Sequence, residues 1–180
     1  MMFLIHLERG ITRFSNFLGV ICTLMFIALL FNVFYDVLMR YAFNNVSIAM
    51  QELEWHLYSA IFLLGIPYGI QHGGHVRVDL IYENLSIRGK AWTDLFGCIV
   101  FLIPFTLLVG YYGVGFAYES YALGETSGDP GGLAHRWIIK GVIPLAFFCM
   151  TISGIGMILR CINALRGVSE EGFSHPPIQH

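Results

Sequence analysis

Long apolar stretches separated by short clusters of charge set the pattern of the chain. The first runs from Phe14 to about Met39; it has no charge between Leu18 and Phe31, and Asn32 is its only strongly polar residue before Asp36. The second, Ile48 to about Ile70, opens with Glu52, Glu54, Trp55 and His56 and then turns apolar. The third, Trp92 to Tyr118, carries Asp94 near its start and Pro104 inside, where a kink is expected. The fourth, Trp137 to Leu159, carries Lys140 and Pro144 in its early turns. Each is long enough to cross a hydrocarbon core, which takes about 20 apolar residues as a helix. The pattern predicts an all-α integral membrane protein of four transmembrane helices, 14–39, 48–70, 92–118 and 137–159. Ser47 stands where an N-cap for the second helix belongs, and acidic side chains in its first turns suit the positive end of the helix dipole. Trp55, Trp92 and Trp137 fall near predicted span ends, the depth that tryptophan prefers as a membrane anchor.

Little of the chain remains for anything else. Residues 1–166 read as one transmembrane domain, and the polar stretch 167–180, with Pro176-Pro177, reads as a disordered tail. Between spans, Tyr41 to Ser47 is short and polar. In the longer Gln71 to Ala91 connection, Val76-Arg77-Val78-Asp79-Leu80 alternates as a segment lying along a membrane surface would. Glu119 to Arg136 is rich in glycine and acid and is expected to be an irregular loop. No internal repeat is visible, so the inverted halves of many secondary transporters are not expected. Arg9 and Arg13 before an apolar run also begin a signal peptide; the length of the run and the lack of a small-residue cleavage site favour a retained first span.

Composition agrees. Of 180 residues, 56% are hydrophobic and 12% charged, against about 25% charged in a soluble domain. The net charge of -2, with no run of like charge, gives no footing for nucleic acid. Arg9, Arg13, Arg77, Arg88, Lys90, Arg160 and Arg166, seven of the ten basic residues, lie in the N-terminus, second loop and C-terminal end. The other three, Arg40, Arg136 and Lys140, share their side with Glu52, Glu54, Glu119, Glu125 and Asp129. The positive-inside rule then places both termini in the cytoplasm. Cys22, Cys98, Cys149 and Cys161 share no short spacing and read as reduced structural thiols.

Candidate chemistry is sparse. Asp36 and Arg40, four apart, share a helix face and either pair or snorkel separately to the headgroups. Glu52, Glu54 and His56 do not share a face, so they do not converge on one ion; Glu52 with His56 is the credible local pair. His72-Gly73-Gly74-His75 has a metal-like spacing, but no Cys or carboxylate close in sequence completes a set, and the glycines more simply end the helix. Gly65, Gly69 and Gly73 form a stripe of small residues, expected first of all to serve packing within the bundle and second a subunit contact; Gly110, Gly113 and Gly115 are a less regular counterpart. No ionisable residue lies near the middle of any predicted span. That argues against a self-sufficient ion-coupled transporter and against a haem held within the bundle. No nucleophile–base pair or phosphate loop points to an enzyme, and no metal or cofactor is expected. A haem-bearing anchor of a quinone-linked enzyme, with His56, His72, His75 and His135 as its only candidate ligands, is the competing class. A small channel would need a pore-lining polar stripe, which is not visible.

Several segments stand in a telling order: Arg40-Tyr41-Ala42-Phe43-Asn44, Glu52-Leu53-Glu54-Trp55, Phe62-Leu63-Leu64-Gly65 and His75-Val76-Arg77-Val78-Asp79. Glu119-Ser120, Ser127-Gly128-Asp129-Pro130-Gly131-Gly132 and Pro144 follow. In their order and spacing, and over nearly the whole chain, they together resemble the small, Q-type membrane subunit of TRAP (tripartite ATP-independent periplasmic) transporters. The resemblance implies a three-part system in a bacterial inner membrane. A periplasmic binding protein captures an organic acid, a large permease subunit moves it inward with sodium by an elevator motion, and the small subunit scaffolds the permease. The implied partners are the permease, the binding protein and membrane lipids. Candidate interface or anchor residues are Arg40, Glu52, Glu54, Trp55, Gly65, Gly69, His75, Arg77, Asp79, Trp92 and Trp137.

Overall fold

A computed structural model of the chain describes residues 2–73, 82 and 84–167. It contains four long helices. They are α1 (Met2–Ala42), α2 (Ile48–Gln71), α3 (Ile87–Ala122) and α4 (Trp137–Leu165). No strand occurs among the described residues. Cross-helix contacts fix an up-down-up-down bundle. Asn32 Nδ2 of α1 donates to Met50 O of α2 at 2.9 Å, while Cys22 Sγ lies 3.7 Å from Ile61 O, so the two helices are antiparallel. Thr151 Oγ1 of α4 donates to Thr106 Oγ1 of α3 at 2.9 Å, and Gly110 and Gly113 of α3 meet Phe148 and Pro144, again antiparallel.

The helix α4 is the centre. It packs on all three others, and 56% of its most apolar stretch is buried, against 17% for α1 and for α3. The core along it is built from small or slender side chains, Ala91, Cys98, Ala146, Met150, Cys161 and Ala164 among them. Without water, helices are held by close packing and hydrogen bonds rather than by the hydrophobic effect, and small residues allow that approach. Gly113 shows the need: a Cβ there would stand 3.3 Å from Pro144 Cδ. The proline ring of α4 thus seats in a glycine notch of α3.

Three helices, α1, α3 and α4, are long and apolar enough to cross a membrane. With 24 residues, α2 has the length, but Glu52, Glu54, His56, Tyr58 and Ser59 in its first half dilute its apolarity. The expected second span is therefore a helix at the predicted position, less apolar than the rest. The other helices run past their predicted ends. The largest extension is in α1, which is helical from Met2 through the charged Glu8, Arg9 and Arg13. Pro104 is accommodated by a π-helical turn, Cys98–Leu102, just before it, closed by Ile103 N–H donating to Cys98 O. Proline offers no N–H to Val100 O and its ring crowds that carbonyl, and the wider turn relieves both.

Local signals at the ends of α2 behave as read. Ser47 Oγ accepts from Met50 N at 3.4 Å. Gly73, at φ 72°, follows the C-cap His72 in the left-handed region that ends helices. The surface segment Val76 to Leu80, with His75, Arg77 and Asp79, lies outside the described residues, as does the tail 168–180.

Candidate functional site

Two polar clusters tie the bundle, one at each end. At the end where α2 and α4 finish, Arg160 of α4 donates to Gln71 O at 2.8 Å and to Gln71 Oε1 at 3.0 Å. Gln71 Nε2 in turn donates to Ser153 O at 2.7 Å, and the Ser153 and Ser15 hydroxyls are 2.9 Å apart. The first turns of α1 join through Glu8, which accepts from Asn163 Nδ2 at 2.7 Å and faces Arg160 Nε at 3.5 Å. Arg160 also sits where the C-terminal carbonyls of α2 carry partial negative charge. Gln71, Ser15, Ser153 and Asn163 are buried, and each has its partner here. A Cβ on Gly156 would stand 2.7 Å from Ile11 and closer still to Gln71, so glycine leaves the room this clasp requires.

At the opposite end, residues 119–122 still belong to α3, and the connection from Leu123 to Arg136 is the irregular loop expected, held by its own hydrogen bonds. Ser127 N bonds Leu133 O at 3.0 Å, Gly132 N bonds Asp129 O at 3.0 Å and Arg136 N bonds Glu125 O at 3.1 Å. Gly131 at φ 81° supplies the left-handed turn. Glu52 of α2 holds this loop: its carboxylate accepts from Ser127 Oγ and from Leu133 N, the latter at 2.6 Å. Glu125 pairs with Lys140, whose Nζ also lies 4.4 Å from the Phe116 ring centre. The hydrogen bond from Lys140 holds the Glu125 carboxyl below its ordinary range. A polar pocket of about 400 Å³ lies between α2, the loop and α4, with Gln51, Glu52, His56, Asp129 and Arg136 in its wall.

These clusters revise several expectations. Glu52 does not pair with the His56 ring; His56 Nδ1 meets the Glu52 backbone oxygen at 2.6 Å, and the carboxylate is spent on the loop. Asp36 and Arg40 do pair, and Asp36 is only 3% exposed, so it is not a snorkelling side chain. The glycine stripe on α2 does not serve packing within the bundle: a Cβ at Gly65, Gly69 or Gly73 would meet nothing within 4 Å. That work falls to Gly19, Gly110, Gly113, Gly154 and Gly156, whose added Cβ atoms would each touch another helix. Trp55 and Trp92 are strongly exposed, and Trp137 is exposed with its ring edge-on to Tyr121 at 5.4 Å. Glu54 is half-buried at the seam of α1 and α2, in the wall of a groove of about 320 Å³ with Leu29, Val33, Trp55 and Tyr58.

Among the described residues, no group of three or more His, Cys, Asp or Glu side chains is placed to hold a metal ion. His56 lies in α2 and His72 at its C-cap, sixteen residues on and about 24 Å along the helix, too far to share one haem. His72 stacks on Tyr68 at 4.1 Å, and His135 sits in the loop at φ 63°.

The family model described as "Tripartite ATP-independent periplasmic transporters, DctQ component" matches residues 29–164. The "Ectoine TRAP transporter small permease protein TeaB" of Halomonas elongata is 27% identical over 158 residues, covering 86% of this chain and 77% of the relative. The "Putative TRAP transporter small permease protein" of Haemophilus influenzae is 25% identical over 137 residues, covering 75% of this chain and 85% of the relative.

Proposed function

This chain belongs to the DctQ-component family of TRAP transporters, and from that premise we propose that it is the fixed scaffold beside which a large permease subunit moves its substrate. One observation carries the reading: α1 and α3 bury only 17% of their most apolar stretches, while the bundle encloses its own polar groups in two end clusters. Such a unit is rigid inside and apolar outside, the form required of a part held still in a bilayer. Its function is transport with partners and not catalysis. All four helices cross the bacterial inner membrane with both termini in the cytoplasm, lipids cover the faces the permease leaves free, and a periplasmic binding protein delivers the substrate. Coupling to sodium and an organic-acid substrate complete the proposal. One relative is named for ectoine, so the uptake measurement should include ectoine beside organic acids.

Two experiments test it. The chain is co-expressed with its permease and purified in mild detergent, and uptake is measured with and without it. Full-rate uptake by the permease alone sinks the scaffold role. Reporter fusions after Ser127 and after Arg166 test the orientation; a cytoplasmic signal at Ser127 refutes it.

A further inference from the structure

The helix α2 presents one face to the bundle and leaves the opposite one bare. Its buried residues, Ala60, Leu64, Pro67, Ile70 and Gln71, lie on one side. At 100° per residue, Glu54, Tyr58, Phe62, Gly65 and Gly69 fall on the other. Tyr58 and Phe62 are 64% and 62% exposed, and the backbone at Gly65 and Gly69 is open to approach. Three features show that this face is not made for lipid. The first is that α2 is less apolar than the three helices suited to crossing a membrane, yet shows half its circumference. The second is Glu54, about 9 Å into the helix from Ile48. Its carboxylate makes no hydrogen bond or ion pair among the described residues, unlike Glu8, Asp36, Glu52 and Glu125. The third is the groove of about 320 Å³ beside it, open to the outside, whose wall includes Leu29 and Val33 of α1.

Resting on the scaffold reading, we propose that this face of α2 seats a transmembrane helix of the large permease, and that the helix carries a lysine or arginine that pairs with Glu54. Charge selects the occupant. Two copies of this chain inserted with the same orientation have parallel α2 helices, and a symmetric crossing on this face sets Glu54 against Glu54. A lipid tail offers the carboxylate nothing. A cationic side chain on a different chain satisfies it, with its stem in the α1–α2 groove and its backbone closest at Gly65. Eleven residues separate Glu54 from Gly65, so the basic residue lies about 16 Å along the partner helix from the point of closest approach.

The test uses the co-expressed complex in native membranes. A photo-crosslinking residue replaces Phe62 on this face, or Leu108 or Tyr111 on the exposed face of α3. Crosslinks to the permease from Phe62 and not from the α3 positions are expected. Glu54→Gln should weaken association roughly three- to twentyfold, the span of interhelical polar contacts in membranes, and Glu54→Lys should abolish it. Gly65→Leu should also abolish it while leaving the subunit's own thermal stability unchanged, because its Cβ meets nothing in the bundle. Crosslinks from α3 alone, Phe62 crosslinks to a second copy of this chain, or undiminished association of Glu54→Lys each overturn the proposal and leave the scaffold reading standing. Failure of the unmodified chain to co-purify with the permease overturns both.

Discussion

Arg160→Ala should be the most damaging single truncation at the end of the bundle where α2 and α4 finish. The guanidinium makes two short bonds to Gln71, at 2.8 and 3.0 Å, and a longer contact to Glu8 at 3.5 Å. Hydrogen bonds to a charged group are worth about 1.5–3 kcal/mol each. The Arg160 side chain is 18% exposed, so water reaches part of the site and the lower end of that range applies. The 3.5 Å ion pair adds about 0–1 kcal/mol. The sum is roughly 3 kcal/mol. At about 2–4 °C per kcal/mol for a chain of this size, the melting temperature should fall by about 6–12 °C. The buried thiols Cys98, Cys149 and Cys161 supply the assay, since a thiol-reactive dye reaches them only as the bundle opens. Arg160→Lys keeps a charge but loses the forked contact and should recover about half the loss. Glu8→Gln can still accept from Asn163 and should cost about 1 kcal/mol or less. An Arg160→Ala melt within about 2 °C of the unmodified chain would falsify the view that this clasp holds α1, α2 and α4 together.

Other outcomes follow from the same geometry. Gly113→Leu drives a side chain into Pro144 and should cost about 1–3 kcal/mol, while Gly115→Leu, facing open space, should be neutral in the same melt. Gly132→Ala places a Cβ 2.8 Å from Glu52 Oε2, so the loop should detach from α2 and trypsin should cut faster at Arg136; equal cutting rates would contradict the clamp. Arg40→Ala strands the buried Asp36 carboxylate and should cost about 2 kcal/mol, the cost of a buried group left unsatisfied, with Asp36→Asn in the same chain restoring most of it. Glu125, held below its ordinary value of 4.5 by Lys140, should contribute loop stability that is full above that value and is lost as pH falls through the lowered one. A thiol placed by Thr126→Cys should label faster in that acid window, and a labelling rate flat with pH would count against the pair.

The positions of the helices were legible because apolar runs bounded by charge leave few alternatives. Where the reading erred, it was where polar residues act through distant partners. The helix start at Met2 was invisible because Glu8 and Arg9 look like the end of a span; Glu8 belongs to the helix through Asn163, 155 residues away. Gln71 reads as an ordinary loop boundary, yet it is buried against α4 through a bond to Ser153, 82 residues on. No local spacing announces such pairs. Glu52 misled in the opposite direction, since a histidine four residues later offered a local partner while Ser127 and Leu133 were the real ones. A glutamine at the end of an apolar run and a lone arginine in the last turns of an apolar helix were the available hints. The glycines show the same limit: spacing revealed stripes on α2 and α3 but not which faced inward.

That last distinction has a physical consequence. In a bilayer the apolar surfaces of helices gain little by leaving lipid for each other, so a bundle is held by close contacts and polar bonds at particular places. Here those places are Gly110, Gly113, Gly154 and Gly156 along α4 or facing it, with a polar cluster at each end. None lies on the outward faces of α1, α2 or α3. Internal stability and association with a partner should therefore be separable, a property that a subunit built around a shared interface core would lack. Gly156→Leu should collapse the thiol-protected core whether or not the permease is present. Gly69→Leu should leave the isolated melt unchanged and reduce only recovery of the complex. A Gly69→Leu chain that unfolds on its own would show that α2 leans on its outer face for folding, and the separation would fail.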